Sequence, residues 1–221
     1  MKLQGFRVCL EAGHGYHDFD YDPGATANGF EEHKLNVSQV KHVAKLLRDQ
    51  GCDVTTVICE IDNPMTLKQR SLVSTGHDLF VSFHHNAANG KAQGTEVLGH
   101  TMATALDKAL AADLSKRIAS VLNYRDRGAK KQNLGVLRYV PKTVTAAVLV
   151  ESYFMDNEAL KNTDLEALSL TAADAAAEGI AQFLIDNCVR RAVIAPEPPK
   201  IDLGPSEPKK ADKWSKLWKK G

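Results

Sequence analysis

The chain has 221 residues, and 43% of them are hydrophobic, which is enough to bury the core of one α/β domain with a short extra segment. Its net charge of +1 at pH 7 excludes a general attraction to nucleic acid, and we expect no nucleic-acid partner. The four cysteines have neither CxxC nor zinc-finger spacing, and no signal-peptide segment opens the chain, so we predict synthesis in the cytoplasm with reduced thiols.

Segments typical of strands and of helices alternate between residues 6 and 188. Apolar and β-branched runs predict the strands, and apolar residues at helical spacing predict the helices. In chain order we predict strand 6–10, helix 33–50, strand 53–58, helix 65–75, strands 78–83 and 94–100, helix 104–122, strands 134–140 and 145–152, and helix 165–188. This alternation indicates an α/β fold, with a mostly parallel, mixed sheet of about six strands and helices on both faces.

The composition changes near residue 190, where prolines become frequent and lysines follow them. We therefore predict a folded domain over 1–190, a proline-rich linker over 191–208 and a basic tail over 209–221. One apolar stripe stands among the tail's lysines, made of Trp214, Leu217 and Trp218. Such a segment suits an anionic polymer or membrane headgroups, although a solubilising tail is the alternative.

Residues with metal-binding side chains follow the predicted strands of the folded domain. They are His14, either Glu31 or Glu32, and either His84 or His85 in the stretch LFVSFHHNA. The carboxyl ends of parallel strands meet at one sheet edge, and a catalytic zinc ion takes three histidine or carboxylate ligands. Adjacent strand residues point to opposite faces, so His84 and His85 cannot easily serve one compact site. The spacing alone leaves both choices open.

Four motifs occur in an order typical of one enzyme family: EAGHGYHDFDYDPGATANGFEEHKLN, SFHHNA, GTEV and AAVLVESYFMDN. Together they resemble the zinc-dependent N-acetylmuramoyl-L-alanine amidases of the type-3 amidase family, over roughly residues 6–187. The resemblance implies a zinc-exopeptidase-like fold. It also implies hydrolysis of the amide bond between the lactyl group of N-acetylmuramic acid and the L-alanine of the peptidoglycan stem peptide.

The same resemblance implies a set of site residues. Glu32 has the family's asparagine four residues later, and His84 stands in the family's S-x-H-x-N frame. The implied ligands of one catalytic zinc ion are therefore His14, Glu32 and His84. The implied catalytic residue is Glu151, which ends the VLVE strand and would act as general base and then acid toward a zinc-activated water.

Several positions depart from the family's pattern. Glu11, Ala12 and Tyr16 lie around the first motif, and Tyr153 stands where the family often has glycine. We expect these residues to affect ligand orientation and the cleft wall, and we expect Arg70 to form a structural ion pair. The other histidines noted, His17, His33, His77 and His100, are predicted to be surface or hydrogen-bonded residues.

Two other function classes stay open on the residues alone. One is a zinc carboxypeptidase or aminopeptidase on a related fold, which would need a charged pocket for a peptide terminus. The other is a wall-binding module without catalysis, which the filled key positions argue against. The resemblance favours a lytic enzyme of the endolysin or sporulation type, which reaches the wall after release by holin-type or mother-cell lysis.

Overall fold

The computed structural model describes residues 2–17 and 20–191. Its strands are β1 (Arg7–Ala12), β2 (Gly15–His17), β3 (Asp20–Asp22), β4 (Thr26–Ala27), β5 (Phe30–Glu31), β6 (Asp53–Val57), β7 (Leu79–Asn86), β8 (Thr95–His100), β9 (Asp126–Gln132) and β10 (Ala146–Phe154). Its helices are α1 (Glu32–Asp49), α2 (Leu67–Leu72), α3 (Ala105–Leu122), α4 (Gly135–Arg138) and α5 (Leu165–Asn187). Beyond Arg191, the predicted linker and tail lie outside the described residues.

Six strands form the central sheet in the order β6-β1-β7-β10-β8-β9. The first four are parallel to their neighbours, β8 runs antiparallel to β10, and β9 is parallel to β8. Two short hairpins, β2–β3 and β4–β5, lie between β1 and α1. The predicted α/β fold with a mixed, mostly parallel six-stranded sheet is confirmed.

The two sides of the sheet are covered unequally. The long helices α1, α3 and α5 pack on one side, over a large core that includes Val81, Phe83 and Val150. The short helices α2 and α4 lie on the other side, over a smaller core that includes Phe80 and Leu149. Successive residues of β7 point alternately into these two cores. One face of the strand is therefore packed under long helices, and the other is covered only by short ones.

Helix α5 is long and apolar enough, by length and composition, to cross a membrane. Within the described residues, 61% of its most apolar window is buried inside the domain. Its apolar character is therefore that of a core helix packed against α1 and α3.

One predicted strand is wrong. Residues 134–140 form no strand, because Gly135–Arg138 make the short helix α4, which buries Val136 and Leu137 in the smaller core. The sixth strand is β9, whose sequence DRGAKKQ has no apolar alternation. Within residues 2–17 and 20–191, β9 is an edge strand that pairs only with β8 and exposes most of its side chains, so hydrophobic patterning could not reveal it.

Candidate metal centre

The carboxyl ends of β1, β7 and β10 bring several polar side chains together. His14 lies in the loop after β1, His84 lies near the end of β7, and Glu151 lies on β10 as the direct neighbour of His84. Glu32 is the first residue of α1, whose amino terminus reaches the same edge. These are the four site residues expected from the sequence, and the structure gathers all of them at one edge.

Three of these residues form a compact set of donor atoms. Glu32 Oε2 lies 3.1 Å from His14 Nε2, and Glu32 Oε1 lies 2.9 Å from His84 Nδ1. One donor atom from each residue lies within 4.8 Å of the other two. Two imidazoles and one carboxylate match the ligand types and the number that a catalytic zinc ion takes, so the donor set fits this metal.

Two glycines allow the backbone to approach these donors closely. A Cβ atom at Gly13 would lie 2.1–2.6 Å from ring atoms of His84. Gly24 has a φ of +68°, and a Cβ atom there would lie 2.6 Å from Glu32 Oε2 and from His14 Cδ2. Any larger residue at either position would displace a donor, which explains the local need for glycine.

His14 has a left-handed backbone with a φ of 66°, which is uncommon for histidine. Hydrogen bonds hold the peptide groups on both sides of it. The carbonyl oxygen of Gly13 accepts from His33 Nδ1 at 2.7 Å and from Asn36 Nδ2 at 3.2 Å. The carbonyl oxygen of His14 accepts from the Arg70 guanidinium at 2.7 Å. The surrounding structure therefore fixes this unusual conformation.

Further contacts orient the donor side chains. Asp22 Oδ2 lies 2.8 Å from His14 Nδ1, which directs the opposite nitrogen of the ring toward Glu32. The Glu32 carboxylate accepts hydrogen bonds from the backbone N–H of Ala25 at 2.9 Å and of His85 at 3.2 Å. A carboxylate behind a histidine ligand is a recurring feature of metal sites, because it fixes the tautomer and the orientation of the ring.

The charges of the donors are coupled. Burial alone would raise the pKa of Glu32, but hydrogen bonds with His14 and His84 hold it well below its ordinary value. Burial likewise opposes a charge on His14, yet its contacts with Glu32 and Asp22 raise its pKa to about 9. Glu32 is therefore an ionised carboxylate at the centre of the cluster, where it favours a cation.

Glu151 is the unpaired acid of the site. It lies between His84 on β7 and Glu96 on β8, and its Oε2 atom is buried without a hydrogen-bond partner among the described residues. Burial is the main cause that raises the pKa of Glu151 to about 7; His84 opposes the shift, and Glu32 and Glu96 add to it. A carboxyl group with this pKa can accept and release a proton near neutral pH.

An open cleft of about 400 Å³ lies beside the donors. Its lining includes the polar residues His14, His84 and Asp22 and a group of apolar residues. The apolar residues are Leu67 of α2, Val136 of α4, Leu134 just before α4, and Leu149 of β10. A concave site that combines apolar residues with a few polar groups is typical of a ligand-binding cleft.

The expected ion pair of Arg70 is present and buried. Its guanidinium lies 3.0 Å from Glu11 Oε1, and Ser82 donates a hydrogen bond to Glu11 Oε2 at 2.5 Å. Glu11 is thus the partner of Arg70, and Arg70 also holds the backbone of His14. Although Glu11 departs from the family's pattern, it still places a carboxylate behind His14, to which it is connected through Arg70.

The residues adjacent to the implied ligands lie elsewhere. His85 points to the packed side of the sheet, where its Nδ1 lies 2.7 Å from Asn36 Oδ1. Glu31 points outward and contacts Tyr21 and Lys34. Tyr153 is buried against His85, with ring centroids 4.7 Å apart, so the expectation that it affects the cleft wall is wrong. Its position on the packed face of β10 is the reason.

Sequence reasoning missed two acids near the centre. Asp22 orients His14, and no spacing rule marks it because it belongs to a short hairpin. Glu96 lies beside Glu151 and is paired with Arg127 at 2.5 Å and with Lys130 at 3.6 Å. The GTEV motif could have revealed Glu96, because it places an acid on a strand next to the strand of Glu151.

Comparisons with known proteins identify the family and the fold of the chain. The family described as N-acetylmuramoyl-L-alanine amidase matches residues 8–185. The uncharacterized protein YqiI of Bacillus subtilis (strain 168) is 30% identical over 185 residues, which cover 82% of this chain and 86% of that protein. The N-acetylmuramoyl-L-alanine amidase CwlM of Bacillus licheniformis is 30% identical over 169 residues, which cover 75% of this chain and 62% of CwlM. The crystal structure of an N-acetylmuramoyl-L-alanine amidase from Clostridium difficile 630 has 26% identity and a TM-score of 0.71, and the match covers 83% of this chain and 98% of that one.

Proposed function

The chain belongs to the N-acetylmuramoyl-L-alanine amidase family, and from this premise we propose that it cleaves the bond between the lactyl group of N-acetylmuramic acid and L-alanine. It is an amidase whose substrate is cell-wall peptidoglycan. One observation carries the finer proposal: three metal-binding side chains lie together, two of them, His14 and His84, line an open cleft, and Glu151 with its unpartnered Oε2 atom is the strand neighbour of His84.

His14, Glu32 and His84 would hold one zinc ion in this site. When bound, zinc acts as a Lewis acid toward the amide carbonyl and makes water a better nucleophile near neutral pH. The chain's own contribution is orientation. Asp22 fixes the ring of His14, and two backbone N–H groups hold the carboxylate of Glu32. Both contacts reduce the movement of the donors during the reaction.

Glu151 supplies the proton transfers. The water oxygen forms a bond to the lactyl carbonyl carbon, and Glu151 accepts the proton that the water loses. The amide C–N bond then breaks, and Glu151 delivers the same proton to the leaving nitrogen of L-alanine. The unpaired Oε2 atom and the pKa near 7 support both steps, because the group must be a base first and an acid afterwards.

The location of action and the role of the tail are further parts of the proposal. The enzyme acts at the cell wall after release from the cytoplasm. The tail over 209–221 would hold it near the wall through attraction of its lysines to anionic polymer or lipid headgroups.

A digestion of purified peptidoglycan, combined with zinc analysis, tests the proposal. We expect one zinc ion per chain, a falling turbidity, and products with new L-alanine amino termini but no new reducing sugar ends. The Glu151→Gln variant serves as the inactive control. New amino termini other than L-alanine would indicate a peptidase, and wall binding without any new termini would indicate a non-catalytic module. Either result would contradict the amidase reaction.

A further inference from the structure

A chain of hydrogen bonds crosses the packed side of the sheet behind the metal centre. Tyr153 Oη lies 2.9 Å from Ser169 Oγ on α5, and Ser169 Oγ lies 2.9 Å from His85 Nε2. On the other side of the ring, His85 Nδ1 lies 2.7 Å from Asn36 Oδ1 on α1. All four residues are at most 1% exposed, so solvent does not compete for these contacts.

Asn36 connects this chain to the donors. Its Nδ2 atom lies 3.2 Å from the carbonyl oxygen of Gly13, immediately before His14, and 3.5 Å from Glu32 Oε1. One amide group therefore contacts the backbone that carries the first donor and the carboxylate that supplies the second. The chain of hydrogen bonds from α5 therefore ends on the carboxylate of Glu32 and on the peptide carbonyl that precedes His14.

The direction of the hydrogen bonds follows from the atoms at this end. The Gly13 carbonyl oxygen can only accept a hydrogen bond, so Asn36 must present its amide nitrogen on this side, where Glu32 Oε1 also lies. Its oxygen then faces His85, which must donate from Nδ1. The Nε2 atom of His85 is consequently an acceptor that faces the Ser169 hydroxyl. The Ser169 hydroxyl also lies 2.8 Å from the Leu165 carbonyl oxygen, but Tyr153 Oη donates to that oxygen at 2.8 Å, so the single hydrogen of Ser169 can go to His85.

We propose that His85 and Ser169 are positioning residues for the metal centre, which hold the Asn36 amide in the one orientation that suits Glu32 and the His14 loop. This inference rests on the proposed zinc site. The oxygen atoms of Gly13 and Glu32 require the amide nitrogen of Asn36, and the Asn36 oxygen requires a proton on His85 Nδ1. Ser169 supplies the partner of the remaining ring nitrogen, so every polar group of the buried chain of hydrogen bonds is satisfied in this arrangement. Neither His85 nor Ser169 contacts the metal or the substrate.

Loss of the Ser169 hydroxyl removes the hydrogen-bond partner of His85 Nε2. The Nε2 atom of His85 would then be a buried acceptor without its hydroxyl donor, which is unfavourable. The ring would be held less firmly, and so would the Asn36 amide that it contacts. Residues behind metal ligands typically change metal affinity about 10–100-fold when mutated, and Ser169, being more distant, should give an effect near the lower value.

Zinc affinity of the full chain, measured by competition with a chelator, tests this role without an activity assay. We expect Ser169→Ala to bind zinc about tenfold more weakly than the unmodified chain. The matched control is Ser115→Ala, since Ser115 is also buried and hydrogen-bonded on a long helix but contacts Thr95 and Asp126 instead. The control should keep its zinc affinity within about twofold, because its contacts do not reach the donors.

A second pair of variants tests the direction of the hydrogen bonds, that is, whether His85 donates to Asn36 from Nδ1. In His85→Asn, the amide nitrogen stands near the former Nδ1 and can still donate to Asn36 Oδ1, so zinc affinity should fall less than threefold, roughly. In His85→Gln, the amide group stands near the former Nε2 and leaves Asn36 without its partner, so affinity should fall about tenfold.

The outcomes are distinct. Unchanged zinc affinity in Ser169→Ala, or equal affinities in His85→Asn and His85→Gln, would overturn the positioning role while leaving the proposed amidase intact. An unmodified chain that binds no zinc would overturn both the proposed metal centre and the role of the residues behind it.

Discussion

His84 and His85 are the same amino acid at adjacent positions of one strand, but their surroundings differ completely. His84 faces the side covered by the short helices α2 and α4, where a cleft leaves its ring beside Glu32 and open to substrate. His85 faces the side covered by α1 and α5, where Asn36 and Ser169 take both ring nitrogens. One ring is thus free to bind a metal, and the other is committed to the interior.

This difference shows how the amount of covering structure decides the use of a side chain. Long helices cover the packed face, and the polar groups buried there hydrogen-bond to one another. Two short helices leave the other face partly open, so polar groups there can meet a metal and a substrate. The two faces nevertheless cooperate, because Asn36 contacts both His85 and Glu32.

The largest difference is expected between two variants in which either His84 or His85 is replaced by alanine. His84→Ala should lose zinc binding and, with it, all measurable lytic activity, because a donor of the metal centre is gone. His85→Ala should retain one zinc ion per chain, with weaker affinity and a smaller loss of activity. Metal content of the two purified variants is the measurement. Zinc lost only from His85→Ala would reverse the assignment of the two faces.

The next largest effect is expected from Glu151, the acid beside the proposed metal centre. Glu151→Gln should keep its zinc and its melting temperature but lose activity by about 10²–10⁴-fold, because an amide of the same shape cannot transfer a proton. The assay is hydrolysis of soluble muropeptide by zinc-loaded protein. Glu158→Gln, at an exposed position, is the control and should be fully active. A Glu151→Gln variant with more than half of the normal activity would exclude the proposed role.

The free energy of unfolding should depend more on the buried ion pair behind the metal centre than on an ion pair at the surface. Arg70→Met leaves Glu11 buried without its partner, which costs about 3–5 kcal/mol of unfolding free energy and should lower the melting temperature by roughly 10 °C. Arg117→Met breaks the partly exposed pair with Asp113 and should cost less than about 1 kcal/mol. Thermal unfolding of both variants is the measurement. Equal decreases in melting temperature would mean that the Arg70–Glu11 pair stabilises the fold no more than the surface pair does.

The smallest effect on the catalytic domain should follow removal of the tail. A chain that ends at Ile194 should keep its zinc, its melting temperature and its activity on soluble muropeptide, because the predicted linker separates the tail from the centre. Binding to whole walls should decrease, and the decrease should shrink as salt screens the lysines. Equal wall binding by both chains at low salt would leave the tail without a targeting role.

The sequence predicts the two regions unequally well. His84 and Glu151 end clear apolar strands, so their location at one sheet edge follows from the pattern alone. The choice of His84 over His85 required the family's motif, because alternation separates the faces without saying which one is open. The partners Asp22, Ser169 and Tyr153 depend on contacts between distant segments, which no local spacing encodes.

We propose that the open face of β7 binds the metal and that the packed face supports the donors. A crystal structure of the zinc-loaded protein, with an anomalous difference map at the zinc absorption edge, tests this most directly. We predict one strong peak at roughly 2.0–2.2 Å from donor atoms of His14, Glu32 and His84, with His85 still bonded to Asn36 and Ser169. A peak coordinated by His85, or a zinc ion bound away from these three donors, would contradict the account.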